Sequence, residues 1–177
     1  MLGGAFTTTS FYAFMAASPF ILVNLLHQSA ERVGLYYLLL MVGVATGGLA
    51  ANRLAGRIRA QSALRLANAI AIAGATAFML ADLTGWLNVV SVIAPVVVFM
   101  VGAGMASPFA LTGAVSVNPH AIGAASGLYG FTQMAYGALC TVIVEVWRPG
   151  SVFTVAVVLL VSSVLGQVAL SLAGRHP

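Results

Sequence analysis

Ser126, Tyr129, Gln133, Tyr136 and Cys140 follow one another at steps of three and four. At 3.6 residues per turn they share one stripe of an α-helix. Hydroxyls and an amide supply neutral hydrogen-bond donors and acceptors, which suits binding rather than acid–base or nucleophilic work. A Gln deep in an apolar helix is costly unless it faces a partner or water. Two readings follow: Tyr129, Gln133 and Tyr136 line a hydrated substrate cavity, or they hydrogen-bond neighbouring helices. Gly123, Gly127, Gly130 and Gly137 form a second stripe about a quarter-turn round, a face expected to pack. A weaker stripe of Thr8, Tyr12, Met15 and Pro19, with Phe11 at its edge, lies near the start of the chain. Tyr12, Met15 and the adjoining Ser18 would offer adaptable contacts to a bulky apolar ligand, or else fill bundle core.

Other chemistries lack their residues. His27, His120 and His176 fall in predicted loops or the tail, and no metal-ligand cluster, nucleophile–base pair or phosphate loop is visible. Asp82 and Glu145 fall at helix ends, Glu145 within reach of Arg148, so both read as interfacial. The sequence therefore predicts no enzyme, no catalytic residue, no cofactor and no metal. Cys140 is the single cysteine, which excludes an internal disulfide.

The elements that must carry these stripes are set by charge spacing. Of 177 residues, 61% are hydrophobic and 6% charged, against roughly 25% charged in soluble domains. Residues 1–30, 33–52, 66–81, 83–144 and 149–174 carry no charge at all. A helix needs about 20 apolar residues to cross the hydrocarbon core, so each gap holds one crossing and the longest holds two. This predicts an all-α membrane protein with six transmembrane helices at about 2–26, 33–53, 63–82, 87–114, 121–146 and 150–173. Soluble enzymes, nucleic-acid binders and secreted disulfide domains are excluded. Met1-Leu-Gly-Gly offers no basic region of a signal peptide, so the first span is expected to remain as a membrane helix. The breaks are polar or proline-bearing: residues 27–32, the Arg-rich segment 53–65, residues 82–88, Asn118-Pro119-His120 and Trp147-Arg-Pro-Gly150.

Orientation follows from Arg. With six crossings, Arg53, Arg57, Arg59, Arg65 and Arg175 lie on one side and Arg32 and Arg148 on the other. The positive-inside rule makes the loop of Arg53, Arg57, Arg59 and Arg65 cytoplasmic, together with both termini. Trp86 and Trp147 then sit at the outer interface.

Ala17-Ser18-Pro19-Phe20 recurs as Ala106-Ser107-Pro108-Phe109, each copy about 18 residues into its helix. Three helices separate them, as an inverted 3+3 repeat (1–82 and 83–177) would place them. Pro19 and Pro108 are expected to kink their helices. Gly43-Val-Ala-Thr-Gly47 and Gly123-Ala-Ala-Ser-Gly127 are small-xxx-small packing candidates.

Three segments carry a family resemblance: Ser18-Pro-Phe-Ile21, Arg53-Leu-Ala-Gly-Arg57 and Gly123-Ala-Ala-Ser-Gly-Leu-Tyr-Gly-Phe-Thr-Gln133. The chain resembles the C-terminal six helices of a major facilitator superfamily transporter, within it the Bcr/CflA-type drug:proton antiporters. The resemblance implies a single transmembrane domain over 1–177, one half of a twelve-helix fold in a bacterial inner membrane. The first, second, fourth and fifth helices would line the cavity, and the third and sixth would support them. The substrate would be a small hydrophobic or amphiphilic molecule, moved by alternating access against a proton gradient. The coupling acid would lie in a missing N-terminal half; a second copy of the chain is the other candidate partner. Two alternatives stay open: transport of a neutral metabolite or sugar, and a truncated membrane protein that transports nothing. The sequence predicts no nucleic-acid partner.

Overall fold

The computed structural model describes residues 2–116, 122–147 and 150–173. Every regular element among them is helical: α1 (Leu2–Thr9), α2 (Phe11–Pro19), a π-helical segment (Phe20–Leu25), α3 (Ala30–Leu54), α4 (Ala60–Leu83), α5 (Val89–Val115), α6 (Ile122–Trp147) and α7 (Val152–Ala173). Six stretches are long and apolar enough to cross a membrane, with α1, α2 and the π segment together making the first. By length and composition the chain is a multi-pass membrane protein. The expected breaks at Asn118-Pro119-His120 and Arg148, and the tail with Arg175 and His176, lie outside the described residues.

The first span is not the single helix expected over 2–26. At Ser10 the ladder tightens: Ala13 N–H donates to the Ser10 carbonyl three residues back, at 3.0 Å. Pro19 has no N–H, so the Met15 carbonyl loses its donor from one turn ahead. Ser18 Oγ donates to that carbonyl instead, at 3.0 Å. Beyond Pro19 the helix widens into the π segment, whose Leu26 N–H reaches the Ile21 carbonyl at 2.9 Å. The end is closed by Gln28 N–H donating to the Leu22 carbonyl at 2.8 Å, with His27 left-handed at φ 51°. This stop spans six residues and puts His in the left-handed position usually taken by Gly.

Two connections are shorter than predicted, residues 26–29 and 55–59, while that before α5, residues 84–88, is one residue longer. Arg53 lies in the last turn of α3, where its charge suits the helix C-terminus, and Arg65 lies on α4. Arg57 and Arg59 stand in the connection between them. The turn before α5 is closed by Asn88, whose side chain accepts from Ser91 N–H at 2.9 Å while Ser91 Oγ accepts from Asn88 N–H at 2.8 Å.

α5 is the centre of the bundle and packs most extensively on α3 and α4. Close approach is made possible by glycine on both sides. A Cβ at Gly47 would run into the Val101 carbonyl oxygen and stand 2.8 Å from Met105 N; one at Gly43 would stand 2.9 Å from the Val97 oxygen. Across the other seam, a Cβ at Gly74 would meet Phe99 N at 2.5 Å and one at Gly102 the Ala67 oxygen at 2.5 Å. In lipid this fit, and not apolar burial, brings helices together. The main core joins Phe14, Ile21 and Leu22 of the first span to Phe78, Phe99, Met100 and Leu159. Phe14 and Phe78 meet edge to face at 6.1 Å.

Candidate functional site

α6 carries most of the candidate residues, and its polar stripe faces inward onto α1 and α7. Gln133 Nε2 donates to Thr8 Oγ1 at 2.8 Å. Ser162 Oγ donates to its own helix at Val158, so the Tyr136 hydroxyl donates to Ser162, at 2.7 Å. The Tyr136 ring also lies 4.7 Å from that of Phe6 on α1, tilted by 57°. Tyr129 is buried beside Ala110 and Ala114 of α5 and Leu64 of α4. Its hydroxyl has no hydrogen-bond partner among the described residues, though the Thr8 side chain lies close. Cys140 is buried further along the same stripe, and the Ser126 hydroxyl turns back to the Gly123 carbonyl at 3.0 Å.

The glycine stripe behaves unlike its expectation. A Cβ at Gly123, Gly127 or Gly130 would meet nothing within 4 Å among the described residues. Among the described residues Gly123 and Gly127 therefore form no packed seam, and the polar face takes that part. Gly137 is different: a Cβ there would stand 2.8 Å from the Tyr12 ring and 3.0 Å from Thr9 Cγ2. The reason is local: Gly137 faces the first span, whereas Gly123, Gly127 and Gly130 lie on a face of α6 with no described neighbour within 4 Å.

The candidates of the first span separate into two places. Tyr12 is 37% exposed, stacked near Phe11 at 4.8 Å, and borders the α6 seam. Met15 is half-buried. Ser18 is fully buried and turned towards α3, where the Tyr37 hydroxyl donates to it at 2.8 Å. Thr8, Tyr12, Tyr129, Gln133 and Tyr136 thus gather along one seam, and Ser18 does not join them. Pro19 and Pro108 are both exposed within or at the end of their helices.

Sequence reasoning missed a second polar cluster. Asn68 of α4 is buried, accepts from Thr7 Oγ1 and donates through Nδ2 to the Ser163 carbonyl at 2.8 Å and Gln167 Oε1 at 2.9 Å. Its signal was present: Asn68 and Gln167 are amides in charge-free stretches, which are expensive in a bilayer without partners. They sit on the third and sixth spans, which the family resemblance assigns to the periphery.

At the junction of α6 and α7, Trp147, Phe153, Thr154 and Val157 line an open pocket of about 210 Å³. Among the described residues no group of three His, Cys, Asp or Glu side chains could hold a metal ion. The α1–α6 seam offers hydroxyl and amide groups, which can hydrogen-bond a neutral ligand. Comparison with protein-family models, with characterised proteins and with solved structures gave no match.

Proposed function

We propose that this chain is one six-helix half of a secondary active transporter of the major facilitator type, exporting small hydrophobic or amphiphilic molecules by alternating access. The carrying observation is the pairing of an interrupted first span with a half-buried, neutral polar face on α6. Discontinuous helices beside a few membrane-embedded polar groups are what a transporter's binding region requires. Tyr12, Tyr129, Gln133 and Tyr136 supply aromatic and hydrogen-bonding contacts of the kind that suit such cargo. The same reading takes the fold as a 3+3 inverted repeat and the relationship as Bcr/CflA-type. It places both termini on the cytoplasmic side of a bacterial inner membrane. Proton coupling would draw its acid from an N-terminal six-helix half.

A drug-accumulation assay in an efflux-deficient strain tests this, with the chain expressed alone and with a second six-helix unit. Lower accumulation in the combined form is expected; unchanged accumulation there removes the export reading. Gln133→Ala should shift the range of substrates while leaving membrane insertion intact, as read by fractionation and by the same assay. Lost insertion would instead assign Gln133 to helix assembly.

The hydroxyl and amide character of the seam also favours a neutral metabolite or sugar as cargo. Thermal shift across a chemically varied ligand panel separates the two: stabilisation by sugars and not by amphiphiles selects the second.

A further inference from the structure

Asn68 is 1% exposed, and both hydrogens of its amide and one acceptor site are engaged by groups on two other spans. One side chain on α4 thereby joins α1 through Thr7 and α7 through Ser163 and Gln167. Thr7 and Thr8 are consecutive on α1, so their side chains point about 100° apart. One reaches Asn68 on α4; the other accepts from Gln133 on α6. A helix held at two such angles cannot turn about its axis without breaking one of the bonds.

Beyond the Ser10 step the tethers change. α2 is held to α4 by Phe14 against Phe78, to α6 where Tyr12 meets Gly137, and to α3 by Ser18 and Tyr37, and none of these contacts runs through Asn68. We infer that Asn68 is a positioning residue that clamps α1 to α4 and α7, fixes Thr8 towards Gln133, and leaves α2 outside the clamp. The first span is then held as two pieces: α1 by hydrogen bonds that run through Asn68, and α2 by contacts that do not. A tightened turn at Ser10 is the point where the two meet. The clamp stands on these hydrogen bonds and does not require the transport reading.

Hydrogen–deuterium exchange of the chain in lipid nanodiscs tests it, comparing the unchanged protein with Thr7→Val and Asn68→Ala. Amides of Leu2–Thr9 should exchange about tenfold faster in both variants, and those of Phe11–Pro19 should change by less than about twofold. Thr7→Val keeps shape and leaves both bonds donated by Asn68 in place, so it reads the α1 limb even where Asn68→Ala does not fold. A merely structural contact would loosen both pieces alike. Equal acceleration on the two sides of Ser10, or none in α1, overturns the clamp. Exchange is read without transport, so failure of the export assay leaves this result interpretable.

Discussion

Gly43-x-x-x-Gly47 on α3 and Gly123-x-x-x-Gly127 on α6 share a spacing and differ in what they meet. The first pair lies against the backbone of α5, close enough that a single added carbon would collide with it. The second pair faces open space among the described residues. Two small residues one turn apart make a groove in a helix surface; a seam also needs an opposing backbone to enter the groove. Where that backbone is absent, polar side chains do the joining, as Gln133 and Tyr136 do on the adjacent face of α6.

The contrast can be broken by substitution. Gly47→Leu should have the largest effect, about 3 kcal/mol or loss of the folded bundle, because α3 and α5 must separate to admit the side chain. Reversible unfolding in detergent micelles measures it, and near-native stability would mean the seam is looser than described. Gly74→Ala adds only one carbon, but against Phe99 N and the Pro95 oxygen at 2.5 and 2.7 Å. A cost of about 1–2 kcal/mol is expected from the same measurement. Tyr136→Phe removes one interhelical hydrogen bond and should cost about 0.6 kcal/mol, the average for such bonds in membrane bundles. Gly127→Ala should change stability by less than about 0.5 kcal/mol, since its Cβ enters open space and Ala favours the helix. A clear loss there would show that Gly127 meets a surface beyond the described residues.

The charge-free stretches made six spans legible, because ten charges in 177 residues leave few places for loops. They could not reveal the π segment: its cause is a missing N–H at Pro19 and a sixfold turn closing at His27, a matter of backbone ladder and not of composition. The repeated Ser-Pro-Phe shows the same limit. Ser18 is buried and bonded to Tyr37, whereas Ser107 is exposed, so identical tetrapeptides sit in unlike surroundings. The polar stripe of α6 was visible from periodicity, yet the direction it faces depends on which neighbour leans where. Asn68 escaped because a single amide in the charge-free stretch 66–81 has no period to display. Its importance comes from Thr7, Ser163 and Gln167, residues 61 to 99 positions away.

The central place of α5 has a consequence for how the chain is made. α3 and α4 leave the ribosome before α5, yet their glycine grooves are filled by it. Until the fourth span enters the bilayer, the glycine grooves of α3 and α4 have no backbone to close upon. Closure of these two seams therefore waits on insertion of α5, whose mean hydropathy of 2.4 is the highest of the six spans.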